Sequence, residues 1–120
     1  MKVLVADDSK MARKMLIKIF SDCREGQEDE ILQAQNGEEA VNLYKENTFD
    51  VVFLDLTMPI MDGFHALKLI KEFDSNAKVI VVSADIQQGS MSQVREDGAI
   101  DFVKKPISDV KMKQILEKIK

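Results

Sequence analysis

Short apolar runs alternate along this chain with longer stretches in which apolar side chains return every third or fourth residue. Val3-Leu4-Val5-Ala6 is a run of the first kind and predicts a strand. Across residues 9–21, Met11, Ala12, Met15, Leu16, Ile19 and Phe20 fall at helical spacing and predict an amphipathic helix carrying them on one face. The acidic stretch around Gly26 reads as a loop, and residues 31–35 as a second, more polar strand. Asn36-Gly37-Glu38-Glu39 has the chemistry of a helix start, with a capping side chain and acidic residues in the first turn. Ala40, Val41, Leu43 and Tyr44 supply that helix's apolar side. Residues 50–54, with Val51-Val52-Phe53-Leu54, and the run Val79-Ile80-Val81-Val82 lack polar alternation, as central parallel strands covered on both faces do. Between them Phe64, Leu67, Ile70 and Phe73 make a helical stripe. Residues 100–103 read as a fifth strand, and Ser108 as the cap of a last helix bearing Met112, Ile115, Leu116 and Ile119. Residues 86–97 are the thinnest segment. Ile86, Met91 and Val94 are its apolar anchors and Gly89 interrupts it, which predicts a marginal helix of the kind that switching elements use.

Five β units alternating with five helices predict an α/β fold: a flavodoxin-like, doubly wound, five-stranded parallel sheet with helices on both faces. The expected strand order is 2-1-3-4-5, which sets strands 1 and 3 side by side. With 120 residues and no repeat or linker, residues 1–120 are expected to form one domain without an output domain. A formal charge of −4 argues against nucleic acid as a partner bound through phosphate contacts. No apolar run approaches the ~20 residues of a membrane span. The first strand runs straight into two aspartates, so it is no signal peptide either. Lone Cys23 rules out an internal disulfide and fits a reducing, cytoplasmic setting. Positions 22–30 carry five acids against Arg24, whereas the last seventeen residues hold six lysines against Asp109 and Glu117. Two solvated faces of opposite sign, or a partner-docking surface, both account for that pattern.

Sites in open parallel sheets form at the carboxyl ends of strands. There the chain places Asp7 and Asp8 after strand 1, Asp55 and Thr57 after strand 3, Ser83 and Asp85 after strand 4, and Lys104 and Lys105 after strand 5. Asp7 and Asp8 individually read equally well as turn formers or helix caps, and Lys105 before Pro106 as a surface lysine in a turn. Pro106 biases Lys105 to extended geometry, and trans is the ordinary form of the bond between them. Together they mean more. Three converging carboxylates repel one another, and a hard divalent cation resolves the repulsion. Oxygen-only ligation suits Mg²⁺. Ser83 and Lys105 make sense if a tetrahedral anion sits beside the metal, which points to phosphoryl transfer onto Asp55.

Asp7-Asp8, Asp55 closing Val-Val-Phe-Leu-Asp, Thr57-Met58-Pro59 with Asp62-Gly63, Ser83-Ala84 and Lys105-Pro106 together resemble the receiver domain of two-component response regulators. The resemblance covers essentially the whole chain. It implies that Asp55 accepts a phosphoryl group from a sensor histidine kinase or a small acyl phosphate. It implies that Asp8, Asp55 and the Thr57 carbonyl bind Mg²⁺, with Asp7 assisting through water. Ser83 would move to the phosphoryl oxygen, and Lys105 would pair with it. Phe102 stands where the family has an aromatic switch residue, so its ring would fill the space that Ser83 vacates; on its own it reads also as a plain core aromatic. Such a domain is not a turnover enzyme: it catalyses its own phosphorylation and dephosphorylation. Val82-Ser83-Ala84 followed by Gln87-Gln88 looks most like stand-alone chemotaxis regulators, monomers whose phosphorylated form binds a motor switch or a phosphatase. A phosphorelay intermediate outside chemotaxis would read similarly. Three departures stand out: Phe102 lacks the hydroxyl of the Tyr common there, the acidic loop is long, and Thr57 and Asp85 occupy positions that tune phosphoryl lifetime.

Other classes fit less well. A Mg²⁺-dependent phosphohydrolase resembling the haloacid dehalogenase family needs a second acid two residues after its nucleophile; Asp8 is followed by Ser9-Lys10, and Asp55 by Leu56-Thr57. A degenerate, binding-only receiver would have lost an acid or the lysine. A flavin phosphate would be repelled by Asp7-Asp8, and dinucleotide and Walker motifs are absent. His65 reads as an exposed helix residue, and the seven methionines mostly as core filler.

Overall fold

In the computed structural model, which describes residues 1–84 and 87–119, strands and helices alternate from end to end. They are β1 (Lys2–Ala6), α1 (Lys10–Cys23), β2 (Glu30–Ala34), α2 (Gly37–Glu46), β3 (Val51–Leu54), α3 (Gly63–Phe73), β4 (Val79–Ser83), α4 (Gln88–Glu96), β5 (Asp101–Lys104) and α5 (Asp109–Lys118). The sheet is fully parallel in the order β2-β1-β3-β4-β5. This is the flavodoxin-like arrangement that the alternation predicted. Ile86 and Asp85, named above as an anchor and a lifetime position, lie outside the described residues.

Because successive strand residues point to opposite faces, the sheet divides the core in two. On one face Leu4, Val52, Leu54 and Val81 pack with Val41 and Tyr44 of α2, Leu67 and Ile70 of α3, and Val94 of α4. On the other, Val3, Val5, Phe53 and Ile80 pack with Leu16 and Phe20 of α1 and with Met112 and Ile115 of α5. β3 and β4 are buried along their whole length, which explains their unbroken apolar runs.

The chain turns from strand to helix over short, capped connections. The Ser9 hydroxyl accepts from Ala12 N, Asn36 Oδ1 from Glu39 N, Asp62 Oδ1 from His65 N and the Ser108 hydroxyl from Lys111 N. Each satisfies an otherwise orphaned donor of a first turn. Strand ends and helix starts therefore share one rim. Gly63 is fixed there by contact: its N–H donates to Leu56 O at 2.9 Å, and any Cβ would collide with the Asp55 carbonyl.

Three expectations change. Met11 and Met15 are 67% and 47% exposed, and the inward face of α1 runs instead through Arg13, Leu16 and Phe20. Arg13 tolerates burial because Nη1 donates to the Asp7 carbonyl at 2.7 Å and Nε to Gln33 Oε1 at 2.9 Å. Phe73 ends its stripe 56% exposed, edge-on to Tyr44. The Lys105–Pro106 bond is cis rather than trans.

Candidate functional site

Register builds the site. β1 and β3 pair Ala6 with Leu54, so the next residue of each strand, Asp7 and Asp55, emerges side by side. Asp55 N donates to Ala6 O at 2.9 Å and Asp7 N to Ala34 O at 3.0 Å, which extends the ladder to the rim itself. Asp7 and Asp55 are each buried to 6% exposure, while Asp8 is exposed. One carboxylate oxygen from each of Asp7, Asp8 and Asp55 lies within 4.8 Å of the others. On the far side, β4 pairs Ser83 with Lys104, and Lys105 N donates to Ser83 O at 2.9 Å. That turn sends the next side chain across the cleft. Lys105 Nζ sits 2.5 Å from Asp7 Oδ2 and 3.3 Å from Asp55 Oδ2. The remaining oxygens are held by the backbone: Asp7 Oδ1 accepts from Ser9 N and Asp55 Oδ1 from Leu56 N, both at 2.9 Å.

Electrostatics follow from these contacts. Burial, and then the Asp7 charge, push the Asp55 carboxyl above its ordinary value, against the Lys105 ammonium and the Leu56 N–H. Burial works to lower the Lys105 ammonium, but its contacts with Asp7 and Asp55 prevail and hold it above the usual lysine range. Three carboxylates against one ammonium leave the cleft short of positive charge. Hard oxygen donors gathered this closely fit a divalent cation of the Mg²⁺ type.

The other sequence-derived candidates are distributed around the cleft. Ser83 is buried at 2% exposure at the tip of β4, and Thr57 is exposed on the loop after β3. Phe102 is only 6% exposed, already packed into the core face shared with Val81 and Val94. Its ring is therefore inside before any phosphoryl group is attached. Two residues were not anticipated. Arg13 clamps the carbonyl of Asp7, and its signal was the 3-and-4 spacing it shares with Leu16 and Phe20. Asp101, buried at the start of β5, pairs with Lys111 at 3.0 Å and Lys118 at 2.9 Å. Its signal was the lysine excess of the C-terminal helix, which it partly balances. In the acidic loop, Asp29 is likewise bound to Arg24, at 2.8 and 3.1 Å.

A doubly wound sheet with acids and one ammonium gathered at its carboxyl rim defines a receiver-type signalling domain. The comparison with known families agrees, and the chain belongs to the response regulator receiver domain family, whose model matches residues 3–117. It is 41% identical over 118 residues to the chemotaxis protein CheY of Listeria monocytogenes, covering 98% of this chain and 97% of that one. It is 37% identical to Protein CcdB of Bacillus subtilis over 118 residues, 98% of this chain and 96% of that one. Among solved structures, the CheX–CheY–BeF₃–Mg²⁺ complex from Borrelia burgdorferi matches with a TM-score of 0.89 and 39% identity, covering 98% of this chain and 87% of that one. No helix among the described residues is long and apolar enough to cross a membrane.

Proposed function

We propose that the protein is a cytoplasmic response regulator that accepts a phosphoryl group on Asp55 from a sensor histidine kinase in a Mg²⁺-dependent reaction. One observation carries this reading: Asp7, Asp8 and Asp55 converge within 4.8 Å while Lys105 reaches across to two of them. Asp7, Asp8, Asp55 and the Thr57 carbonyl would hold the metal, whose chemistry there is to neutralise charge on the phosphoryl oxygens. An Asp55 carboxylate oxygen forms the new bond to phosphorus as the bond from phosphorus to the donor imidazole nitrogen breaks. Lys105 then exchanges Asp7 for a phosphoryl oxygen, and the Ser83 hydroxyl donates to another. The group adds about −1.5 to −2 charge and three acceptor oxygens at the tips of β3, β4 and β5.

The 41% identity to a chemotaxis protein over nearly the full chain supports a role in chemotaxis; in that role the protein would act as a monomer whose phosphorylated form binds a motor switch or a phosphatase. The likeness to a CheY bound to CheX with BeF₃ and Mg²⁺ supports a partner that engages this state. A second reading is a phosphorelay intermediate outside chemotaxis, and one relative, Protein CcdB, carries no chemotaxis name. Acetyl phosphate with Mg²⁺ should add one phosphoryl group by intact mass, and Asp55→Asn should abolish the addition. Modification that persists in the variant places the acceptor elsewhere. A pull-down with phosphorylated and unmodified protein separates the two readings by the partner recovered.

A further inference from the structure

Beneath the acidic cleft, sharing Asp7, Asp55 and Lys105 with it, lies an apolar recess that phosphoryl transfer does not use. A cavity of about 230 Å³ opens between α1 and the sheet, with Asp7, Asp55 and Lys105 at one end. Leu16, Phe53, Val82 and Ile107 line its interior, and Ala12 and Met15 belong to its α1 wall. Met15, 47% exposed, is an unbranched side chain able to adapt to an occupant. Apolar cavities of about 150 Å³ take up a benzene ring, so this one has room for a ring and a short polar group. The polar end decides which group. Two buried carboxylates and one ammonium, with Asp8 close by, repel an anion. A neutral ring leaves the net negative charge of three acids against one ammonium unbalanced. A cation balances it.

We propose that this cavity is a binding site for a small aryl cation, its ring against Leu16, Phe53, Val82 and Ile107 and its amidinium or ammonium on the carboxylates of Asp7 and Asp55. Such a ligand uses the acids that the preceding section assigns to the metal, so the two are mutually exclusive. Only that competition rests on the metal reading; the site itself does not.

The test is methyl-detected NMR titration of the whole chain with benzamidine, with guanidinium and benzyl alcohol as the cation alone and the ring alone. Saturable shifts at the Leu16, Val82 and Ile107 methyls are expected with benzamidine, at an affinity about tenfold or more above either fragment. Ala12→Leu, which fills the cavity from a helix position where leucine is also a good helix former, should abolish saturation. Asp7→Asn should weaken binding about tenfold while leaving a folded chain by circular dichroism. Mg²⁺ should raise the apparent dissociation constant in proportion to its concentration. Absent saturation, unchanged binding in Ala12→Leu, or equal affinity for benzyl alcohol overturns the proposal. Benzamidine bound without competition from a Mg²⁺ that itself shifts the Asp8 amide also overturns it. If Mg²⁺ shifts nothing, the metal reading fails, and Asp7→Asn alone decides whether the cation sits on that acid.

Discussion

A buried carboxylate takes its stability from its surroundings, and Asp101 and Asp55 are surrounded differently. Burial works to raise the Asp101 carboxyl, but Lys118, Lys111 and the Phe102 N–H overcome it and hold the group below its ordinary value. A lowered folded value means that Asp101 contributes stability above its unfolded value of ~3.9, lost as pH falls through the folded value. Asp101→Asn should therefore cost about 1 kcal/mol at neutral pH, a modest figure because solvent screens the half-exposed lysines. The two chains should converge below about pH 3 in urea titrations. Asp55 behaves oppositely. Burial and the Asp7 charge raise it, so its ionised form opposes folding at neutral pH when no metal is bound. Asp55→Asn should raise the melting midpoint in chelator, by about 4 °C for each kcal/mol of repulsion relieved. An unchanged or lower midpoint would mean that Lys105 already neutralises the cleft.

At the scale of elements, α4 is thinly packed among its described residues. Val94 is the residue of that helix buried to 0% exposure, Met91 is only partly buried, and the Gln87 side chain makes no capping bond. α5, by contrast, buries Met112, Ile115 and Leu116 behind a Ser108 cap. Amides of α4 should exchange with deuterium faster than those of α5, and Val94→Ala should widen the gap by removing about 1–2 kcal/mol of packing. Uniform protection across both helices would count against local opening. The same contrast marks what the sequence could reveal. Buried strands and capped helices announce themselves, since Val51-Val52-Phe53-Leu54 and Ser108 are local signals. The acids of the site were legible for the same reason: strand ends and strand order alone place Asp7 beside Asp55. The register of α1 was not, because methionine counts as apolar and arginine as polar until Asp7 O and Gln33 are seen to satisfy Arg13. Neither was the reach of Lys105 to Asp7, which is set by contacts far apart in sequence; the inward ring of Phe102 fits its reading as a core aromatic.

For the molecule as a whole, the cleft couples metal affinity to global stability. A ligand that binds only the folded chain stabilises it by RT ln(1 + [L]/Kd), about 2.7 kcal/mol at a hundredfold excess over Kd, or roughly 10 °C in the midpoint of a domain this size. The divalent cation must take its place against Lys105, whose ammonium already lies 2.5 Å from Asp7 and 3.3 Å from Asp55. On the proposed reading, Lys105 competes with the metal for the same carboxylates until a phosphoryl oxygen offers it another partner. Removing it should separate those two roles. In Lys105→Ala the midpoint without metal should fall, because three carboxylates lose their counter-charge. The increment produced by Mg²⁺ should grow, since no ammonium has to be displaced. Phosphorylated Lys105→Ala, lacking the ion pair that reports the modification, should bind its partner no better than the unmodified chain. Melting curves at graded Mg²⁺ check the first two outcomes and a pull-down the third. A smaller Mg²⁺ increment in the variant would show that Lys105 organises the acids for the metal instead of contesting them.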